Sequence, residues 1–295
     1  MMVIYGSCVL ESIINSNKYW IKSLFLFLAL SDNDSKSNPK RVQIMFDQEP
    51  FLVKVEWGKR GAREAAERGD IAIVVDVLSF SSTIVTAIHH HAIVYPYPPP
   101  INEQAAAYAD EIGAELLLGR AEAARAGRPS LSPVSFGPRD AEKKYVLCSL
   151  NGAACSRLAA GASALLVGSL LNATAAAKYA NSLQRKTGAS ITVVPCGEYW
   201  QGGRDGENDL RPGIEDYLGA GAIISGLAGS KSPEALVCEG AFREGRDRIA
   251  DLIWDCGSGR ELREKGFAED VRHCARLDMY QEVPILDRNH FRDAL

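Results

Sequence analysis

The chain has 295 residues, of which 46% are hydrophobic and 24% charged, a composition that excludes a disordered or fibrous protein and indicates a large buried core. Its 33 basic and 37 acidic residues give a net charge of −4 without blocks of like charge, which argues against nucleic-acid binding. The seven cysteines are scattered and contain no C-x-x-C pair, which argues against disulfides or structural zinc and favours the cytoplasm.

The first 44 residues differ from the rest of the chain. Their longest apolar run, residues 24–30, is shorter than the roughly 20 residues that span a bilayer, and the long mixed segment before it is unlike a signal peptide. The polar residues 31–40 have the composition of a linker, and Met45 offers a second start. We therefore expect residues 1–44 to be a disordered extension or a misassigned start, residues 45–295 to form a single domain, and no membrane span.

Short apolar runs of strand length recur from residue 71 onward. The first, IAIVV at residues 71–75, is continuous rather than alternating, which indicates a strand buried on both faces of a parallel sheet. Similar runs, separated by alanine-rich helical segments, occur at residues 92–97, 114–119, 144–149, 163–169 and 191–196. Because crossover helices cover both faces of a parallel sheet, the pattern predicts an α/β fold. We expect a three-layer α/β/α sandwich with a mostly parallel sheet and a mainly helical C-terminal part.

Ligands in such folds bind beyond the carboxyl ends of the strands, where polar residues follow several of the predicted strands. Asp76 follows the first of them and precedes a hydroxyl-rich helix start that contains Ser81 and Ser82. A carboxylate there can hold a divalent cation while hydroxyls and free amides bind a phosphate. The same residues also suit ordinary helix capping, and the sequence leaves both interpretations open.

Two later strand ends carry further candidates. Ser149, Asn151 and Gly152 form a tight turn whose amides can face an anion, although an ordinary turn fits these residues equally well. Glu198 follows the strand at residues 191–196.

Glu215 and Asp216 are adjacent acids that open an otherwise apolar helix. Negative charge is favourable at any helix N-terminus, but an acidic pair also suits a magnesium site.

Several familiar phosphate chemistries lack their signatures. No cysteine is followed six residues later by arginine, and Leu78 stands where a phosphoaspartate phosphatase needs its second acid. Neither a Walker A motif nor G-x-G-x-x-G is present. The three histidines at residues 89–91 cannot all face one ion, so we interpret them as a polar connection.

Six segments, taken in order, resemble the 2-phosphosulfolactate phosphatase (ComB-like) family: residues 76–88, 150–154, 167–177, 195–198, 214–224 and 259–284. The resemblance covers nearly all of residues 50–290, and the order of the segments is more specific than any one of them. It implies an α/β fold of the family's own type, so that residues 45–295 are expected to form a single phosphatase-like α/β domain. It also implies a Mg²⁺-dependent phosphatase that converts 2-phosphosulfolactate into 3-sulfolactate and phosphate, a step toward coenzyme M.

The chain departs from the family pattern at positions expected to bind anions. Ser79 stands where the family has arginine, Arg120 follows Gly119 where the family has Gly-Glu-Arg, and Ala153 replaces a threonine. Each lost charge-assisted contact commonly contributes about 1.5–3 kcal/mol. The alternatives are therefore hydrolysis of another small phosphate ester, or binding of an anionic metabolite without turnover. Alanine-rich helices also suit a subunit interface, so a homo-oligomer or a structural role stays open.

The working hypothesis assigns a role to each candidate residue. One or two Mg²⁺ ions activate a water for in-line attack and are held by Asp76, Glu198, Glu215 and Asp216. The phosphate oxygens are cradled by Ser81, Ser82, Ser149, Asn151 and Gly152. The catalytic groups are Asp76, Glu198 and Arg120, the last of which stabilises charge.

Overall fold

A computed structural model of the chain describes residues 48–295, so the predictions for residues 1–44 lie outside the described part. The strands β1 to β11 lie at Val53–Val55, Ile71–Val75, Ile93–Tyr97, Glu115–Leu116, Lys144–Cys148, Ala164–Gly168, Ile191–Pro195, Glu198–Tyr199, Leu210–Arg211, Pro284–Asp287 and His290–Asp293. The helices α1 to α11 lie at Gly58–Arg68, Phe80–His89, Glu103–Ile112, Arg120–Ala126, Gly152–Leu158, Ala173–Thr187, Ile214–Ser225, Pro233–Gly245, Ile249–Asp255, Gly257–Glu264 and Ala268–Cys274. Across this part of the chain, every helix is too short or too polar to cross a lipid bilayer.

A large mixed sheet lies at the centre of the described residues, with strand order β1-β7-β2-β6-β10-β11-β3-β5-β4. Strands β1, β7, β2 and β6 are parallel to one another, and so are β3, β5 and β4. Each predicted apolar run contains one of these strands. The predicted mostly parallel α/β sheet is therefore confirmed.

The continuous apolar pattern of β2 arises because the two faces of this strand enter two different cores. Ile71, Ile73 and Val75 pack with residues of α6, α7 and α8. Ala72 and Val74 pack on the opposite face with residues of α1, α2 and α5. Helices thus cover both faces of the sheet, which confirms the predicted three-layer sandwich.

The end of the chain inserts a hairpin into the middle of the sheet. Helices α7 to α11 occupy most of the C-terminal part, as expected, but β10 and β11 then pair antiparallel between β6 and β3. Each outer pairing has one register position, Ile285 opposite Leu166 and Phe291 opposite Val94. The sequence pattern did not predict this hairpin, because both strands are four residues long.

The chain beyond β2 meets the chain beyond β5, although the hairpin between the two parallel groups reverses their direction. In a flat sheet, the three successive antiparallel pairings between β6 and β3 would place the ends of β2 and β5 at opposite edges. Adjacent strands, however, rotate by roughly 20–25°, so the five pairings from β2 to β5 would accumulate roughly 100–125°. The amide of Gly152, beyond β5, accordingly donates to the Asp76 carboxylate, beyond β2, at 3.0 Å.

We expect Phe291→Ala to lower the free energy of unfolding by about 3–5 kcal/mol, because it opens a cavity where the hairpin meets β3. Phe291 is fully buried and lies edge-on to Phe80, with 6.4 Å between ring centroids. Urea denaturation measures the change. Leu295→Ala, at the exposed chain end, is the control and should change stability by less than about 0.5 kcal/mol. Equal effects of the two substitutions would contradict the inserted position of the hairpin.

Candidate active site

A cavity of about 560 Å³ opens beyond the carboxyl ends of β2, β5 and β7. Five of the sequence-predicted site residues line it, namely Asp76, Arg120, Ser149, Asn151 and Glu198. These residues come from separate segments of the chain, and the fold brings them together. The cavity lies where parallel-sheet proteins bind their ligands.

The Asp76 carboxylate joins two helix starts. Its Oδ1 accepts a hydrogen bond from the Phe80 amide at 3.1 Å, and its Oδ2 accepts one from the Gly152 amide at 3.0 Å. Asp76 thus binds the first amide of α2, as a cap would, and lines the cavity as well. Burial raises its pKa to about 6, nearby Glu215 adds to the rise, and the two amide hydrogen bonds oppose it.

Ser81 and Ser82 lie beneath the cavity, fully buried. The Ser81 hydroxyl donates to the Val74 carbonyl at 3.1 Å and accepts from the Asp76 amide at 2.9 Å. The Ser82 hydroxyl donates to the Val77 carbonyl at 2.8 Å. Both hydroxyls therefore fix the backbone between β2 and α2 in this structure, and their contact with phosphate stays a prediction.

The turn after β5 connects two carboxylates. The backbone amide of Gly152 donates to Asp76, and the side-chain nitrogen Nδ2 of Asn151 donates to Glu198 Oε2 at 2.9 Å. The Asn151 Oδ1 atom is buried and has no hydrogen-bond partner among the described residues. The turn therefore links Asp76 to Glu198 through hydrogen bonds, and it leaves Asn151 Oδ1 available to a ligand.

Glu198 begins β8 and lies opposite Arg211 of β9 in the antiparallel register of these two strands. Its pKa is raised to about 7, first by burial and then by the negative charge of Asp76, while the hydrogen bond from Asn151 opposes the rise. The carboxyl can therefore hold or release a proton near neutral pH.

The two acids at the start of α7 differ in their partners. Asp216 accepts from the Val77 amide at 2.7 Å and from the Gly197 amide at 2.8 Å, so each of its oxygens holds a strand end. Burial, with the charges of Asp76 and Glu215, raises its pKa well above the ordinary value. Glu215 accepts from the Ser258 hydroxyl through Oε1, but its Oε2 is buried without a partner in the described part of the chain.

Arg120 supplies positive charge to the cavity wall. Its Nη2 donates to the Ser79 hydroxyl at 2.7 Å, and its Nε lies 3.5 Å from Asp270 Oδ2. The guanidinium carbon lies 5.6 Å from the centre of the Phe267 ring. The side chain is thus held on several sides while it lines the cavity.

Sequence reasoning missed three residues of this network: Arg211, Ser258 and Asp270. Arg211 Nη2 donates to the Ser258 hydroxyl at 3.0 Å, which in turn donates to Glu215. Asp270 lies in the tail segment that carried the family resemblance, which was a signal for it, but Arg211 and Ser258 carry no comparable motif. Their contacts with the site join residues that are distant in sequence.

Oxygen atoms without partners could hold a cation at this site. They include Glu215 Oε2 and Asn151 Oδ1. Each Asp76 oxygen accepts one hydrogen bond from a backbone amide and retains a further lone pair. Hard divalent cations prefer such ligands. Among residues 48–295, no three Asp, Glu, His or Cys side chains stand close enough to ligate one ion by themselves.

We expect Glu198→Gln to stabilise the protein in EDTA more at pH 8 than at pH 5. The native pKa of about 7 lies above the ordinary 4.5, so the native state keeps a proton that the unfolded state has lost. The contribution of Glu198 to the free energy of unfolding therefore falls as pH rises between these values, by on the order of 2 kcal/mol. Urea denaturation at both pH values measures the difference. If the stability gained by Glu198→Gln became smaller as pH rises, the raised pKa would be contradicted. The control is Glu244→Gln, which replaces an exposed glutamate.

We expect Gly152→Ala to lower the free energy of unfolding by about 1–3 kcal/mol, because the new Cβ would overlap the Phe80 ring. Thermal denaturation tests this. Gly240→Ala, in α8 with no atom within 4 Å of the added Cβ, is the matched control and should raise stability by up to about 1 kcal/mol. A Gly152 variant as stable as the control would show that the close contact is not required.

Comparison with known proteins identifies the family. Residues 59–289 match the family described as 2-phosphosulpholactate phosphatase. The chain is 30% identical over 219 residues to a probable 2-phosphosulfolactate phosphatase of Carboxydothermus hydrogenoformans, covering 72% of this chain and 84% of the relative. It is 27% identical over 226 residues to the probable enzyme of that name from Gloeobacter violaceus, covering 73% and 87%. It is 29% identical over 228 residues to the probable 2-phosphosulfolactate phosphatase of Symbiobacterium thermophilum, covering 74% of this chain and 91% of the relative. The chain therefore belongs to the 2-phosphosulpholactate phosphatase family, a family of phosphoric monoester hydrolases.

Proposed function

We propose that the chain is a Mg²⁺-dependent phosphatase that hydrolyses 2-phosphosulfolactate to 3-sulfolactate and phosphate, the reaction type of coenzyme M biosynthesis. The observation that carries this proposal is the convergence of acids and an arginine on one cavity at the carboxyl edge of the sheet. The names of the relatives supply the substrate. The cavity volume of about 560 Å³ suits a small metabolite.

The donor set fits Mg²⁺. Burial first, and then the negative charge of neighbouring acids, raises the pKa of Asp76, Glu198 and Asp216, so a cation that enters this region would stabilise their ionised forms. Mg²⁺ commonly binds through one or two carboxylates together with substrate oxygens and waters. When bound, Mg²⁺ would supply positive charge to the phosphoryl oxygens and make a water more nucleophilic. We propose Asp76, Glu215 and Asn151 as its direct ligands.

We assign roles other than direct Mg²⁺ binding to Asp216 and Glu198, which the sequence predicted as metal ligands. Asp216 uses both oxygens for backbone amides and, unlike Asp76, does not line the cavity, so we assign it to holding the site together. Glu198 has a pKa of about 7 and can deliver a proton to the oxygen that leaves when the phosphorus–oxygen bond breaks. The released organic product would then depart as an alcohol. Direct metal binding by Glu198 stays a prediction.

Arg120 suits the stabilisation of charge on the transferred phosphoryl group. Its guanidinium lies in the cavity wall and is fixed by Ser79 and Asp270 before a ligand arrives. A donor fixed in advance stabilises developing charge without reorganisation. Ser149, which lines the same cavity, can add a hydroxyl hydrogen bond to a phosphate oxygen.

A second candidate is a different small phosphate ester, or an anionic metabolite that is bound but not hydrolysed. The observation that favours it is Ser79, which lines the cavity where the resembled family has arginine.

The six cysteines of the described part are free thiols, which is consistent with the cytoplasm that we propose as the location of the protein. A homo-oligomer stays a prediction.

Phosphate release by the full chain tests the proposed function, with 2-phosphosulfolactate and a panel of small phosphate esters, each in Mg²⁺ or EDTA. We expect Mg²⁺-dependent turnover of 2-phosphosulfolactate. Asp76→Asn should lower kcat/KM by about 100-fold or more, because it weakens a ligand of the ion. The exposed Asp110→Asn is the control and should be unchanged.

The remaining outcomes separate the alternatives. Turnover of another ester alone would reassign the substrate. Phosphate binding without turnover of any ester would favour the anion-binding role. Unchanged Mg²⁺-dependent turnover by Asp76→Asn would show that the assignment of Asp76 is wrong.

A further inference from the structure

Asp270 is a buried acid that faces the cavity arginine from behind. It lies in α11 with 1% of its surface exposed and is absent from the cavity lining. Its Oδ1 accepts from the Ser132 hydroxyl at 2.6 Å, and its Oδ2 lies 3.5 Å from Arg120 Nε. The carboxylate thus bridges the segment around Ser132 and the guanidinium of Arg120.

The two facing atoms have little else to interact with. Asp270 Oδ2 and Arg120 Nε are both buried and make no hydrogen bond within the described residues. Burying an ionised group is costly unless an opposite charge lies close. Each group is therefore the counter-charge that makes the burial of the other tolerable.

Arg120 is consequently held at three points. Ser79 accepts from Nη2, Asp270 faces Nε, and the Phe267 ring lies beside the guanidinium plane. A planar guanidinium fixed in this way keeps its hydrogen-bonding fork in one orientation. Of these three contacts, Asp270 is the one that carries charge.

We infer that Asp270 is a positioning residue that holds the Arg120 guanidinium in the orientation that binds the phosphate of the substrate. The inference rests on the proposed function, because that proposal gives Arg120 its contact with the phosphate. Asp270 itself does not touch the ligand. Without the Asp270 carboxylate, Arg120 should keep its charge but lose its fixed orientation, so phosphate affinity should fall. The roles of the cavity acids Asp76 and Glu198 should be retained.

The test is a double-mutant cycle that measures inorganic phosphate binding to the full chain by isothermal titration calorimetry in Mg²⁺. Asp270→Asn and Arg120→Gln should each weaken phosphate binding about tenfold. The double variant should bind no more weakly than Arg120→Gln alone, because Asp270 acts through that arginine. In steady-state kinetics, Asp270→Asn should raise KM and lower kcat when Arg120 is present, and should change neither by more than about threefold in the Arg120→Gln background.

Two further variants serve as controls. Glu269→Gln removes an exposed carboxylate of the same helix, which pairs with Arg272, and should leave phosphate affinity unchanged. Ser132→Ala removes only the hydroxyl that holds Asp270 and should weaken binding by about threefold. It replaces Asp270→Asn in the cycle if that variant does not fold.

Several outcomes would overturn the inference. Phosphate affinity unchanged in Asp270→Asn, or an equal loss in the wild-type and Arg120→Gln backgrounds, would show that Asp270 does not act through Arg120. If the wild type binds phosphate but hydrolyses no ester, the proposed function is wrong and the cycle still decides the role of Asp270. A wild type that hydrolyses an ester but binds no phosphate would overturn the inference and leave the proposed function standing.

Discussion

Two buried carboxylates hold the candidate site together. Asp76 accepts the amides of Phe80 and Gly152, and Asp216 accepts those of Val77 and Gly197. These four amides follow the ends of β2, β5 and β7, where the regular pairing of the sheet stops and backbone groups need other partners. The side chains that close the sheet edge therefore also determine the shape of the cavity.

This arrangement concentrates negative charge in a poorly solvated place. Burial raises the pKa of Asp76, Glu198 and Asp216, and the acids raise one another further. Such clusters cost folding free energy and are common where a protein binds cations or transfers protons. The unpartnered oxygens of Glu215 and Asn151 fit the same interpretation, since a native interior rarely leaves such atoms unsatisfied without a ligand.

Positive charge enters the cavity from a different part of the chain. Arg120 begins α4 and reaches Ser79 in the loop after β2, while Asp270 of the tail faces it. The acidic and basic groups thus lie on separate elements. Asp76 and Glu198 follow strands of the sheet and the pair Glu215 and Asp216 begins α7, whereas the arginine is faced by Asp270 of α11. Substitutions in the tail can therefore change anion binding without altering the acidic half of the site.

The sequence by itself determined the parallel strands and most of the cavity residues. Continuous apolar runs required strands buried on both faces, and the search beyond their carboxyl ends selected Asp76, Ser149, Asn151 and Glu198, all of which line one cavity. These inferences depend on local periodicity and on a general rule of parallel sheets, neither of which needs long-range information.

Only the tertiary structure decided where the C-terminal hairpin pairs, how Ser81 and Ser82 use their hydroxyls, and which partners Glu215 and Arg120 have. The position of the hairpin depends on its pairing with β3 and β6, which no local pattern encodes. The hydroxyl bonds depend on side-chain rotamers, and the Arg120–Asp270 pair joins residues far apart in sequence. Such contacts are selected by packing after the chain has folded, so local sequence patterns do not predict them.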